Sequence, residues 1–139
     1  MLSIICPTYN SDKTLQRTLS SIKGQSYQSI ELIVVDGGST DKTLDIIRKN
    51  SDIISKFISE PDRGLWDAMN KGLDMISGDW VYFIGSDDYL SSSKVIEDIF
   101  GVSINADVGL LLGSVRYSNN KIFKSRFNKR IYLTYNYCY

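Results

Sequence analysis

Four polar clusters punctuate this chain, and each stands beside an apolar run: Pro7-Thr8-Tyr9-Asn10, Asp36-Gly37-Gly38-Ser39, Pro61-Asp62-Arg63-Gly64 and Gly85-Ser86-Asp87-Asp88. The chain contains no histidine, which removes the commonest general base and the commonest transition-metal ligand together. Its chemistry must therefore run on carboxylates. Two adjacent carboxylates such as Asp87 and Asp88 repel each other unless a cation or donor lies between them, and oxygen ligands suit Mn2+ or Mg2+ holding phosphates. That pairing points to a nucleoside-diphosphate site, against the simpler alternative that both residues only open a loop and cap the serine-rich segment after it. Gly64 permits close backbone approach, and free N–H groups at a following helix start attract a phosphate or a sugar hydroxyl, with Arg63 adding charge. The competing reading of that segment is a surface helix stapled by an Asp67 to Lys71 pair, worth a few tenths of a kcal/mol.

The elements that must position these groups follow from periodicity. Leu2 to Cys6, Ile30 to Val35, Ile53 to Ile58, Trp80 to Ile84 and Val108 to Val115 read as strands, with a sixth at Lys121 to Ser125 after a Ser118-Asn119-Asn120 turn. Between them lie helical patterns: Leu15, Leu19 and Ile22 before Gly24; Leu44, Ile46 and Ile47 after Ser39-Thr40-Asp41; Leu65, Met69, Leu73 and Ile76 before Gly78; and Val95, Ile96, Ile99 and Phe100 after Ser91-Ser92-Ser93. Alternation at this spacing predicts an α/β fold, a mostly parallel sheet with helices on its faces. In such sheets ligands bind beyond the carboxyl ends of the strands, where three of the four clusters fall. Trp66 and Trp80 read as packing residues rather than sugar platforms.

In order and spacing, Pro7-Thr8-Tyr9-Asn10, Val35-Asp36-Gly37-Gly38-Ser39-Thr40-Asp41, Glu60-Pro61-Asp62-Arg63-Gly64-Leu65-Trp66-Asp67-Ala68-Met69-Asn70-Lys71-Gly72 and Ser86-Asp87-Asp88 resemble the motifs of glycosyltransferase family 2. The resemblance implies a GT-A fold, a Rossmann-like three-layer α/β/α sandwich, and transfer of a sugar from a nucleoside diphosphate with inversion. It assigns Pro7, Thr8, Tyr9, Asp36, Ser39 and Asp87 to the nucleotide, with Asp36 accepting a hydrogen bond from uracil or thymine and Asp87 near the ribose. Arg63, Gly64 and Asp67 go to the donor sugar and diphosphate. Asp88, with Asp87, goes to the metal, Mn2+ or Mg2+. Gly85 stands where many relatives carry an acid, which leaves the number of liganding carboxylates open. The partners implied are a UDP- or dTDP-type sugar and a saccharide or polyprenyl-linked acceptor, in bacterial cell-surface polysaccharide assembly at the inner face of the cytoplasmic membrane.

Composition bounds the rest. The 139 residues are 42% hydrophobic and 23% charged, an ordinary globular balance, and net charge is zero. Charge is unevenly spread: all 16 acidic residues lie at or before Asp107, and Arg116, Lys121, Lys124, Arg126, Lys129 and Arg130 follow it. No apolar run approaches the ~20 residues of a membrane span, and the start carries no leader-like pattern, so a cytoplasmic protein with peripheral membrane contact is expected. Cys6 and Cys138 read as reduced thiols. The basic end has no nucleic-acid reading motif, and Pro7-Thr8-Tyr9-Asn10 is not the glycine-rich turn of a nicotinamide-binding domain. An inverting transfer needs a base. With no acid after Asp107, that base is expected beyond Tyr139, and the aromatic ending at 131–139 reads as a domain cut short. The expected division is a donor-binding domain at 1–115 and the start of an incomplete acceptor-side region at 116–139. The alternative function is a truncated, non-catalytic nucleotide-sugar-binding module.

Overall fold

The computed structural model describes residues 1–105, 107–111, 113–117 and 119–123. The chain divides into two compact units, Met1–Ser103 and Ile104–Tyr139. The first contains β1 (Leu2–Thr8), α1 (Leu15–Lys23), β2 (Ile30–Asp36), α2 (Thr43–Lys49), β3 (Lys56–Ser59), α3 (Leu65–Leu73), β4 (Trp80–Phe83) and α4 (Val95–Phe100). Its four strands form one parallel sheet in the order β3-β2-β1-β4.

Every residue of β1 is buried, as is all of β2 after Ile30. A strand buried on both faces needs apolar side chains on both parities, and both strands supply them. Leu2, Ile4, Cys6, Leu32 and Val34 face one layer, packing with Leu15, Leu19 and Ile22 of α1, Ile47 of α2 and Ile96 of α4. Ile5, Ile33 and Val35 face the other, where α3 supplies Ala68. The result is the expected three-layer α/β/α sandwich. Burial seals Cys6 as a thiol: desolvation, then the negative charges of Asp87 and Asp88, push its pKa up to about 12.

Several expectations shift. The sequence favours Leu65 and Leu73 as the packed face of α3, yet they are 50% and 38% exposed, and the buried positions are Ala68 and Gly72. A Cβ at Gly72 would lie 2.5 Å from Ile5 Cγ2, so the helix sits too close to the sheet for larger residues. The third strand begins at Lys56 rather than Ile53, because the chain is still leaving α2 there, with Ile53 N–H bonded to the Asn50 carbonyl at 3.1 Å. In the second unit, the expected strand from Val108 is confined to β5 (Val115–Arg116), paired antiparallel with β6 (Ile122–Phe123). Apolar composition favours burial, but a strand also needs a pairing partner, and Leu110 and Leu111 remain exposed. Cys138 and the 131–139 ending lie outside the described residues.

A buried polar knot ties the sheet to the segment after α3. Glu31 on β2 accepts from Ser3 Oγ at 2.7 Å and Ser77 N–H at 2.8 Å, and pairs with Lys56 Nζ at 2.8 Å. Burial alone would raise its pKa, but Lys56, Ser3 and Ser77 together outweigh that and hold it at about 2, against 4.5 ordinarily. The depressed value means that this carboxylate stabilises the fold fully above pH 4.5 and progressively less as pH falls toward 2. Glu31→Gln is expected to cost about 2 kcal/mol at neutral pH, less than a fully buried pair because Lys56 still reaches water. Thermal unfolding at pH 7 and pH 3 checks this: the gap between wild type and variant should narrow at the lower pH.

Candidate functional site

The carboxyl ends of β1 and β2 are adjacent, with Thr8 paired to Asp36 in register. Their loops are bound together. Ser39 Oγ accepts from Asn10 N–H at 2.8 Å, Asn10 Oδ1 accepts from Thr40 N–H at 2.9 Å, and Thr43 Oγ1 accepts from Ser11 N–H at 2.7 Å. Asn10 adopts a left-handed backbone, φ 46°, a conformation asparagine tolerates better than most residues.

Asp36 is 0% exposed. Its Oδ2 accepts from Gly38 N–H at 3.2 Å, Ser39 N–H at 3.0 Å and Ser59 Oγ at 2.7 Å, and its Oδ1 accepts from Ser39 Oγ. A carboxylate so engaged braces the loop after β2. Ser39 is likewise committed, donating to Asp36 and accepting from Asn10. Their contribution is to fix the platform on which other groups stand.

Those other groups line a cleft of about 260 Å³ formed by Pro7 and Thr8 at the end of β1 with Tyr9 just after it, Asp62, Gly64, Leu65 and Ala68 around the start of α3, and Ser86 after β4. Tyr9 is 61% exposed. Thr8 Oγ1 is buried without a hydrogen-bond partner among the described residues, an orphan that a ligand polar atom would satisfy. Gly64 has φ 104°, the region reserved for glycine. Arg63 N–H is held by Asp67 Oδ2 at 3.1 Å, and Lys71 Nζ reaches Asp67 at 3.3 Å, Glu60 at 2.9 Å and the Pro61 carbonyl at 3.1 Å. The Arg63 amide and the Lys71 cation lower the Asp67 carboxylate from its usual range. Asp67 and Lys71 thus clamp the loop whose residues line the cleft.

Beyond β4, Asp87 and Asp88 converge over Gly85. A Cβ there would lie 2.9 Å from Asp87 Oδ1 and 3.1 Å from Asp88 Oδ2, so this carboxylate arrangement admits no side chain at position 85. Partial burial and the Asp87 charge raise the Asp88 pKa, against the lowering influence of the Gly85 backbone and Arg17. Burial and the neighbouring Asp87 charge therefore disfavour the ionised form of Asp88. Mg2+ and Mn2+ are held by one or two protein carboxylates with phosphate and water oxygens completing the shell, and this pair fits that pattern. Among the described residues no group of three acidic, histidine or cysteine side chains that could hold a metal ion is present.

The loop is braced from α1 by residues that sequence reasoning passed over. Thr18 is fully buried, and its hydroxyl lies 3.0 Å from the Ser86 carbonyl and 2.6 Å from that of Asp88. Arg17 donates to the Asp87 carbonyl at 2.8 Å and lies over the Tyr89 ring at 4.4 Å. Ser21 Oγ accepts from Leu90 N–H at 3.1 Å, and Ser11 and Ser86 hydroxyls meet at 2.8 Å. Thr18 falls with Leu15, Leu19 and Ile22 on the buried face of α1, so helical spacing makes its burial legible, but nothing in the pattern tells which loop its hydroxyl serves.

Comparison with known proteins agrees with this geometry. The profile of Glycosyl transferase family 2 matches residues 3–139. A PGL/p-HBAD biosynthesis glycosyltransferase of Mycobacterium bovis is 43% identical over 99 residues, which cover 69% of this chain and 39% of the relative. The chain thus spans about two fifths of that relative's length. The structure of S. aureus TarS 1-349 in complex with UDP-GlcNAc matches with a TM-score of 0.66 and 31% identity, over 72% of this chain and 30% of the 1-349 chain. Mannosyltransferase PcManGT from Pyrobaculum calidifontis, in complex with GDP-Man and Mn2+, matches with a TM-score of 0.65 and 27% identity, over 68% of this chain and 30% of its own. The parallel sheet with helices on both faces is the GT-A, Rossmann-like arrangement of these glycosyltransferases. Among the described residues no helix is long and apolar enough to cross a membrane. Motifs, fold and matched relatives converge, and the chain belongs to glycosyltransferase family 2.

Proposed function

We propose that this chain binds a nucleoside-diphosphate sugar of the UDP or dTDP type together with Mn2+ or Mg2+. In the whole protein it serves a glycosyltransferase that moves the sugar, with inversion, to a saccharide or polyprenyl-linked acceptor in cell-surface polysaccharide assembly. The site of action would be the cytoplasmic face of the membrane, with peripheral contact only. The observation that carries the reading is the meeting, at one sheet edge, of a cleft with the orphaned Thr8 hydroxyl and the converging carboxylates of Asp87 and Asp88.

Sugar transfer builds negative charge on the departing diphosphate. A divalent ion at Asp88 and Asp87 would supply electrophilic stabilisation of that charge. The chain's own residues do the rest of the positioning. Thr8 and Tyr9 receive the nucleoside, the Arg63–Gly64 backbone at the start of α3 offers donors to the diphosphate or sugar, and Asp67 holds that backbone in place. Thr18 and Arg17 fix the carbonyls of the acidic loop, so the two carboxylates are held in their converged geometry before ligand arrives.

Isothermal titration with UDP-sugars in the presence of Mn2+ tests this. Saturable binding at one site, weakened by chelating the metal, is the expected result. Absence of binding by any nucleoside diphosphate, with or without metal, overturns it.

A further inference from the structure

With Asp36 sealed beneath the loop, the cleft needs another group to recognise the nucleobase. We propose that Asp62 is that group, a specificity-determining carboxylate that accepts the single ring N–H of uracil or thymine; this rests on the reading of the cleft as a nucleoside-diphosphate site.

The placement is unusual and well fixed. Asp62 lines the same cleft as Thr8 and Tyr9, and its carboxylate lies directly over Gly37, the residue after Asp36: a Cβ on Gly37 would be 2.5 Å from Asp62 Oδ2. Gly37 thus leaves open the space at the end of β2 that the Asp62 carboxylate fills from the neighbouring loop. That loop is pinned on both sides of Asp62. Glu60 N–H bonds to the Asp36 carbonyl at 3.0 Å, Lys71 holds the Pro61 carbonyl at 3.1 Å, and Asp67 holds Arg63 N–H at 3.1 Å. Asp62 Oδ1 accepts from Gly64 N–H at 2.8 Å. Among the described residues Oδ2 has no hydrogen-bond donor.

One committed oxygen and one available oxygen define what is recognised. Uracil and thymine present a single N–H between two carbonyls, which one carboxylate oxygen satisfies. Guanine presents an N–H and an amino group side by side and is best met by both oxygens. Adenine and cytosine place a ring acceptor beside their amino group, and that lone pair would face the carboxylate. The geometry therefore favours the pyrimidine diones.

Calorimetry on the full chain with Mn2+ and three probes, UDP, N3-methyl-UDP and CDP, decides the matter. Wild type should bind UDP ~10–100-fold more tightly than N3-methyl-UDP, the range for a hydrogen bond to a charged group. Asp62→Asn keeps an oxygen on Gly64 N–H and turns its amide N–H toward the cleft, so UDP should weaken at least ~10-fold while CDP, whose ring nitrogen accepts, gains. Gly37→Ala, which displaces the carboxylate without removing it, should also erode the UDP to N3-methyl-UDP ratio, and it carries the test if Asp62→Asn fails to fold. Variants that bind UDP and retain the wild-type ratio overturn the role of Asp62 and leave the nucleotide site standing. A wild type that binds no nucleoside diphosphate overturns the site, and this inference with it.

Discussion

Asp88→Ala is expected to abolish the tightening of UDP binding by Mn2+ or Mg2+, a loss of about 100-fold in apparent metal affinity, the upper end of what disturbing even an outer-shell partner costs. Asp87 and Asp88 converge over Gly85 with like charges and a raised pKa at Asp88, a repulsion that a divalent cation bound there would relieve. Removing one partner would remove both the proposed ligand and the repulsion. The fold should therefore be unharmed: the bracing of this loop runs through its carbonyls, from Thr18 and Arg17, and not through the carboxylates. The decisive measurement pairs metal titration with thermal unfolding. Retained metal enhancement in Asp88→Ala would remove Asp88 from the metal site, and a large drop in Tm would show that its role is structural.

Asp36→Ala should have the opposite signature, a stability loss of about 3–4 kcal/mol. Its four hydrogen bonds come from Gly38, Ser39 and Ser59, and deletion leaves two N–H groups and two hydroxyls short of an acceptor in a buried place. An unsatisfied buried group costs about 1–3 kcal/mol, and partial rescue by water keeps the total below a simple sum. At roughly 4–8 °C per kcal/mol for a domain near 100 residues, Tm should fall by more than about 10 °C. Asp36→Asn should fall between, since an amide keeps one acceptor oxygen but sets two donors among donors. Chemical denaturation and calorimetry check this. A stable Asp36→Ala protein that merely loses nucleotide selectivity would return the base-reading role to Asp36.

Much of this was already legible in the amino-acid sequence. The largely apolar runs of β1 and β2 and the glycines and acids that follow them pointed to a parallel sheet whose carboxyl edge carries Thr8, Asp36 and the Asp87–Asp88 pair, because strands buried on both faces leave most chemistry to their ends. Motif order determined the family. The absence of histidine also directed attention to carboxylates for any metal chemistry. What it could not determine was the job of each polar group. Asp36 stands next to a glycine and Asp62 two residues before one. The turn after β2 and Ser59 of β3 supply the donors that take up the Asp36 carboxylate, and the packing of the β3–α3 loop over Gly37 sets Asp62 in the cleft. Likewise Leu65 and Leu73 outrank Ala68 and Gly72 in hydrophobicity, but the close approach of α3 to Ile5 leaves room only for the small pair. Local patterns report what a side chain prefers, whereas burial and hydrogen-bond partners depend on segments far apart in the chain, and Thr18, whose hydroxyl serves carbonyls 68 and 70 residues away, acquires its role only when the tertiary structure brings those segments together.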